Sequence, residues 1–201
     1  MKLILATANK HKLIEISSIM NSKPVKIISA KEAGWEGEIK EDGLTFEENA
    51  IKKARIIAME LREWAMADDS GLEVYSLQMR PGVFSARYAG EPVDYKANND
   101  KLLKELEFCA DRRARFCCVI ALANPKGRTE TVMGICYGNI ARESRGNGGF
   151  GYDPLFIPEG YSQTFGELSP DIKNKISHRA RAIALALKKW EKIFDGTKKS
   201  F

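Results

Sequence analysis

The chain has 201 residues, of which 44% are hydrophobic and 29% charged, the composition of an ordinary globular protein. This length suits one domain over residues 1–201, built as two closely joined lobes, and no apolar run approaches the roughly 20 residues of a membrane span. The net charge of +5 is compatible with solvated basic faces, an anionic ligand or nucleic acid. Four cysteines without a C-x-x-C pair, beside two histidines, argue against a zinc site and for reduced thiols in a cytoplasmic protein.

The first 43 residues alternate extended, helical and loop patterns. Apolar residues predict a strand over Lys2–Thr7 and then a helix that ends near Asn21–Ser22. A second strand is predicted over Val25–Ser29. Residues 34–43 are acidic and punctuated by glycine, which indicates a loop.

The next stretch leads to two adjacent aspartates. Thr45-Phe46-Glu47-Glu48 has the form of a capping box, which predicts a long helix to about residue 63. Ala65–Ala67 predicts a buried strand, and Asp68-Asp69-Ser70-Gly71 predicts a turn after it, with an extended segment resuming over Leu72–Leu77. Two neighbouring carboxylates repel each other, so a basic side chain or a cation is expected beside them.

The second half of the chain is richer in extended patterns. It is predicted to contain, in order, a helix capped by Asp94, a hairpin of strands over 114–123 and 129–140, a glycine-rich loop over 146–151, and a helical region from Ser169-Pro170 to about Phe194 that is interrupted near Ser177. Helices and strands that alternate early, followed by a hairpin, favour an α/β domain with a mixed sheet.

A polar segment connects the first predicted strand to the first helix. It consists of Thr7, Ala8, Asn9, Lys10, His11 and Lys12. Backbone N–H groups at a helix start, together with two lysines, suit an anion such as phosphate. The same residues also fit an ordinary polar turn between a strand and a helix, because the glycines of a Walker motif are missing.

Three carboxylates are candidates for a magnesium site. Glu41 lies in the acidic loop, and Asp68 and Asp69 follow the third predicted strand. Mg²⁺ is commonly held by one or two carboxylates, with waters and substrate phosphates completing its coordination. The alternative is that both aspartates cap backbone amides in a turn. Lys53 lies four residues after Asn49, on one helical stripe, where it can reach a phosphate or remain a surface lysine.

Other candidate groups lie in the C-terminal third. Phe150 has a glycine on each side, so its ring is available to stack on a planar ligand, although a loop aromatic buried in the core fits equally well. Lys173, His178 and Arg179 are donors that match the keto oxygens of hypoxanthine or xanthine and oppose the amino group of adenine. The sequence does not show what would exclude guanine.

Six blocks occur in an order that resembles the inosine triphosphate pyrophosphatase family, over residues 5–181. They are ATANKHK, GLTFEENAIKKA, ADDSGLEV, PGVFSARYAG, GNGGFGYDPLF and KNKISHRA. The resemblance implies an elongated, twisted, mixed β-sheet flanked by helices, with two lobes around a central cleft and usually a homodimer. It implies hydrolysis of ITP, dITP or XTP to the monophosphate and pyrophosphate, by water attack on the α-phosphorus. Ala8 departs from the family, in which glycine is common at that position.

The resemblance also implies a role for each matching residue. Asp69 matches the proton acceptor, and Glu41 with Asp68 or Asp69 matches the ligands of Mg²⁺, for which Mn²⁺ is a candidate substitute. The substrate-binding positions that match are Thr7, Ala8, Asn9, Lys10, His11, Lys12, Lys53, Ser70, Phe150, Gly151, Tyr152, Asp153, Lys173, His178 and Arg179.

Two alternatives remain open at this point. One is a related nucleotide pyrophosphatase that prefers another base, against which the donors around His178 argue. The other is a nucleic-acid-binding module that uses the basic patches. Paired aspartates without a metal would repel a phosphate backbone. The expected partner is a purine nucleoside triphosphate, with no nucleic acid and no membrane.

Overall fold

The computed structural model describes residues 2–21 and 25–197. Ser22, one of the two residues at which the first helix is predicted to end, lies outside them. The strands are β1 (Lys2–Leu5), β2 (Lys26–Ser29), β3 (Ala65–Val74), β4 (Arg113–Ala123), β5 (Thr129–Ile140) and β6 (Phe156–Pro158). The α-helices are α1 (Lys10–Met20), α2 (Phe46–Leu61), α3 (Tyr95–Glu105), α4 (Pro170–Ile176), α5 (His178–Lys189) and α6 (Glu191–Phe194). In the described ranges, no helix has the length and apolar character needed to cross a membrane.

The strands form one mixed sheet in the order β2-β1-β3-β4-β5-β6. Strand β1 runs parallel to both of its neighbours, whereas β6 pairs antiparallel with β5. Leu3, Ile4 and Leu5 of β1 are fully buried, as expected for a parallel strand covered on both faces. The mixed α/β class predicted from the sequence is therefore confirmed.

The chain divides into two compact units, each with its own hydrophobic core. The first unit takes the described residues of Met1–Asp69, Cys118–Gly134 and Arg179–Phe201, and the second takes Ser70–Cys117 and Ile135–His178. The core of the first unit includes Leu3, Ile16, Met66, Ile120, Ile183 and Trp190. The core of the second unit includes Leu72, Leu102, Phe116, Tyr152, Phe156 and Phe165.

Helix starts follow the local rules by which they are predicted. The Thr45 side chain accepts a hydrogen bond from the Glu48 amide, and the Glu48 carboxylate accepts one from the Thr45 amide. Asp94 caps α3 by accepting a hydrogen bond from the Ala97 amide, and Ser169 caps α4 by accepting one from the Ile172 amide. Ser177 has extended backbone angles between α4 and α5, which confirms the predicted interruption.

Three local predictions are wrong. Strand β3 is continuous over ten residues, so Asp68-Asp69-Ser70-Gly71 is extended rather than a turn. Residues 75–77 form a 3-10 turn instead of continuing the strand, and the three-residue strand β6 is absent from the prediction. The aspartates stay in a buried strand because cationic side chains distant in sequence compensate their charges.

Candidate active site

The carboxylate of Asp68 is fully buried among cationic side chains of the first unit. The Nε and Nη2 atoms of Arg179 lie 3.3 and 3.1 Å from its Oδ2, and Lys12 Nζ lies 3.1 Å from the same oxygen. Burial by itself would raise the pKa of Asp68, but the charges of Lys12, Arg179 and Lys53 outweigh it and hold that pKa well below its usual range. Asp68 is therefore a permanent anion at neutral pH.

Arg179 connects Asp68 to helix α1. Its Nη1 donates to Glu15 Oε2, so one buried guanidinium lies between two carboxylates. Burial acts to lower the pKa of Arg179, and Asp68 and Glu15 together raise it above its ordinary value. A charged residue can be buried this completely only when it is paired and hydrogen-bonded.

Asp69 faces a different set of partners. Lys53 Nζ lies 3.6 Å from Asp69 Oδ1 and 2.9 Å from Glu41 Oε2, while Asn49 Nδ2 donates to Asp69 Oδ2 at 3.1 Å. Burial, reinforced by the nearby Glu41 charge, raises the pKa of Asp69 although Lys53 and Lys12 oppose the shift. Asn49 and Lys53 thus lie on one stripe of α2, as their spacing predicts, and the Lys53 ammonium is buried rather than at the surface.

The charges already beside the three carboxylates bear on their fit to a divalent cation. Glu41 and Asp69 both lie within 4 Å of the Lys53 ammonium, so two carboxylates share that positive charge. Asp68 is already engaged by Lys12 and Arg179. Within residues 2–21 and 25–197, no three His, Cys, Asp or Glu side chains are gathered as a metal site. Mg²⁺ commonly takes only one or two protein carboxylates, with other oxygens completing its coordination.

The segment predicted to bind phosphate forms the start of α1. Asn9 caps the helix, because its Oδ1 accepts hydrogen bonds from the amides of His11 and Lys12 at 2.9 and 3.3 Å. Thr7 Oγ1 accepts from the Asn9 amide. Two of the amides expected at this helix start therefore already have an acceptor in Asn9. Ala8, Lys10 and His11 are exposed, and Lys12 is partly buried beside Asp68.

In the second unit, a buried ion pair organises the glycine-rich loop. Lys173 Nζ lies 2.6 Å from Asp153 Oδ2, and the same oxygen accepts a hydrogen bond from the Phe150 amide at 2.7 Å. Gly149 has a φ of +73°, and a Cβ there would lie 2.0 Å from Asp153 Oδ2. Only glycine can therefore occupy position 149 while Asp153 binds the Phe150 amide.

The Phe150 ring is only partly buried. Its centroid lies 6.2 Å from that of Tyr95 and 5.0 Å from Lys173 Nζ. Tyr95 and Lys173 thus contact a ring that remains partly exposed. This position is compatible with the predicted stacking on a planar ligand.

Three further predicted residues belong to the second unit. His178 is buried and stacks on Phe116, with centroids 4.6 Å apart. Tyr152 is buried and donates to the Ser85 carbonyl at 2.8 Å. Ser70 continues β3 directly after Asp69 and is partly exposed.

Within each unit, the structure brings several predicted residues together. Lys12, Glu41, Lys53, Asp68 and Asp69 form one charged cluster in the first unit, whereas Phe150, Asp153 and Lys173 form another in the second. Arg179 contacts the acidic side chains of Asp68 and Glu15 in the first unit. Glu15 is absent from the predicted site, because its contact with Arg179 spans 164 residues of sequence.

Known proteins resemble this chain over nearly its full length. A model of the Ham1 family matches residues 3–190. A protein of Desulforamulus reducens named dITP/XTP pyrophosphatase is 50% identical over 196 residues, covering 96% of this chain and 98% of that protein. A protein of the same name from Bacillus subtilis is 47% identical over 194 residues, 96% of each chain. The structure of the Staphylococcus aureus Ham1 protein aligns with a TM-score of 0.87 and 39% identity, over 98% of this chain and 100% of that one.

Proposed function

The chain belongs to the Ham1 family, and from that premise we propose that it hydrolyses ITP, dITP and XTP to the monophosphate and pyrophosphate. Relatives of nearly equal length, at 47–50% identity, carry the name dITP/XTP pyrophosphatase. The structural observation that carries the proposal is the convergence of Glu41 and Asp69 on Lys53. A hydrolase for polyanionic substrates needs such a mixed cluster, in which cations neutralise phosphate and a carboxylate is available for proton transfer.

In this proposal the triphosphate is bound by residues of the first unit. Lys12 and Lys53 supply positive charge, and the polar segment Thr7–Lys12 lies at the start of α1, whose N-terminus favours an anion. Glu41 with Asp68 or Asp69 would hold Mg²⁺. When bound, the ion supplies charge neutralisation at the phosphate oxygens. Asp68 keeps Lys12 and Arg179 in place through its ion pairs.

Asp69 has the role of general base. Asn49 fixes one of its oxygens, which leaves the other directed towards Lys53. The attacking water donates its proton to the Asp69 carboxylate, the water oxygen bonds to the α-phosphorus, and pyrophosphate leaves. A positioned base of this kind contributes about 10²–10⁴-fold to a rate.

The purine base is assigned to the second unit. Phe150 offers a partly exposed ring for stacking, and Lys173 and His178 are the assigned donors towards keto oxygens. Gly151, Tyr152 and Asp153 complete the loop that carries Phe150. Arg179 remains assigned to the base by family resemblance, while its observed partners are Asp68 and Glu15.

The wider setting forms part of the same proposal. We place the enzyme in the cytoplasm, as a homodimer that uses Mg²⁺ or Mn²⁺ and binds neither nucleic acid nor membranes. Its four cysteines are free thiols, three of them buried, which suits a reducing compartment. Removal of non-standard purine nucleotides from the nucleotide pool is the corresponding role.

A nucleotide panel tests the proposal. Pyrophosphate release is measured with ITP, XTP, GTP, ATP and TTP at equal concentrations and saturating Mg²⁺. We expect ITP and XTP to have kcat/KM values well above those of the other three. Preference for TTP or GTP would instead support a pyrophosphatase with another base specificity. Salt-dependent DNA binding without hydrolysis of any of these nucleotides would favour a nucleic-acid-binding module.

A further inference from the structure

Helix α3 contacts the glycine-rich loop through one buried amide. Asn99 Nδ2 donates to the Gly151 carbonyl at 3.1 Å, across 52 residues of sequence. The Asn99 side chain is almost completely buried, with 7% of the residue exposed. Gly151 has a φ of +62°, in the left-handed region that favours glycine. Asn99 therefore holds the carbonyl of a residue whose backbone is otherwise free to change conformation.

The oxygen of the Asn99 side-chain amide differs from its nitrogen in having no hydrogen bond to any residue that the structure describes. Among the described residues, Asn99 Oδ1 is buried and has no hydrogen-bond donor. A buried acceptor without a donor opposes folding, and such groups in native structures call for an explanation. A residue present only to fill space at this point of α3 would carry no polar atoms. The position is therefore organised around the hydrogen bond to Gly151.

The glycine-rich loop has a second set of contacts that does not involve Asn99. Asp153 Oδ2 binds both the Phe150 amide and Lys173, and α3 also supplies Tyr95 against the Phe150 ring. Asp153 restrains the amide of Phe150, whereas Asn99 restrains the carbonyl of the next residue. Because the two contacts flank the Phe150 side chain, both are needed to fix the direction of its ring.

We infer that Asn99 is a positioning residue for base recognition, which holds Gly151 and thereby fixes the ring of Phe150 for stacking on the purine. This inference rests on the proposed function and deepens it. Glycines at 146, 148, 149 and 151 make the loop intrinsically variable. Without the Asn99 hydrogen bond the loop must be ordered by the ligand, so binding of the base weakens while the chemistry at the phosphates is unaffected.

Neighbouring Asn98 provides a matched control. It lies on the same helix and is equally buried, but its side chain binds the Ala86 carbonyl and the Ala89 amide instead of the loop. Asn99→Leu and Asn99→Asp are compared with Asn98→Leu and Asn98→Asp. The measurements are kcat and KM for ITP, and inhibition by inorganic tripolyphosphate, at a temperature at which circular dichroism shows every variant folded.

Loss of this one hydrogen bond should raise the KM for ITP about tenfold in both Asn99 variants. The kcat should change less than about twofold, and tripolyphosphate inhibition should remain that of the wild type, because phosphate groups do not use the loop. Asn98 variants should keep the wild-type KM. Asn99 variants that behave like the Asn98 variants, or that lose kcat with an unchanged KM, overturn the inference while ITP hydrolysis by the wild type still stands. A wild-type enzyme that does not hydrolyse ITP overturns the proposed function and this inference with it.

Discussion

Arg179 donates two hydrogen bonds to a single oxygen of Asp68, at 3.3 and 3.1 Å, with side-chain exposures of 1% and 0%. This pair joins the start of α5 to the middle of β3, and Glu15 extends it to α1. Each charge is buried only because the others are present. The pair therefore explains why two adjacent aspartates are tolerated inside a strand.

Removal of the guanidinium should destabilise the first unit severely. Arg179→Met leaves Asp68 and Glu15 without their shared cation, and breaking a buried pair in this way costs about 3–5 kcal/mol. The measurement is the free energy of unfolding in urea. Lys188→Met, an exposed substitution on the same helix, should change it by less than about 0.5 kcal/mol. Equal changes in the free energy of unfolding for the two substitutions would show that the buried pair contributes no more to stability than an exposed lysine.

Acid should weaken the protein through Asp68. The pKa of this carboxyl is lower in the folded protein than in the unfolded chain, so its contribution to stability is present at neutral pH and is lost as pH falls below about 4. Urea unfolding at a series of pH values between 7 and 3 measures this loss. Asp68→Asn should be less stable at pH 7 and should lose less stability on acidification. If the free energy of unfolding fell equally with pH in the variant and the wild type, Asp68 would not be the group responsible for the loss.

Local sequence rules predict much of this fold. Thr45, Asp94 and Ser169 lie at helix starts because a capping side chain acts within three residues of itself. The course of β3 could not be predicted in this way, because Asp68 depends on Arg179, 111 residues later. The strand β6 is too short for a periodic signal.

Site residues also divide into those whose contacts follow from local spacing and those whose contacts are distant in sequence. Lys53 and Asn49 were placed on one stripe by their spacing within a helix, and both contact Asp69. The contact of Asn99 with Gly151 spans 52 residues, and no pattern in the sequence predicts it. A residue's type helps to predict its contact when the partner is close in sequence or carries the opposite charge. It does not help when a neutral side-chain amide binds a backbone carbonyl.

Asp69→Asn should retain the fold and lose turnover. The substitution removes a negative charge from beside Glu41 and Asp68, while Glu41 still pairs with Lys53. Loss of the proton acceptor should lower kcat for ITP by about 10²-fold or more. Urea unfolding and pyrophosphate release are measured on the same sample. Asp111→Asn, which removes a surface ion pair with Arg113, should leave both unchanged. A variant at position 69 with a near-normal kcat would remove Asp69 from the mechanism.

Phe150→Leu should weaken binding of the base without affecting the phosphates. Stacking of a base on an aromatic ring contributes about 1–3 kcal/mol, so the KM for ITP should rise by about fivefold or more. Inhibition by tripolyphosphate should stay at the wild-type value. Phe108→Leu alters a ring that is 94% exposed and serves as the matched control. If KM is unchanged at position 150, the Phe150 ring does not stack on the purine.

Water that attacks the α-phosphorus of a non-standard purine triphosphate leaves its oxygen in the monophosphate, so a heavy-oxygen label reports the position of attack. ITP is hydrolysed by the wild-type enzyme in ¹⁸O-labelled water with Mg²⁺, and the products are analysed by mass spectrometry. We expect attack at the α-phosphorus, with one ¹⁸O atom in the inosine monophosphate and none in the pyrophosphate. Label in the pyrophosphate, or release of single phosphate groups in place of pyrophosphate, would contradict it.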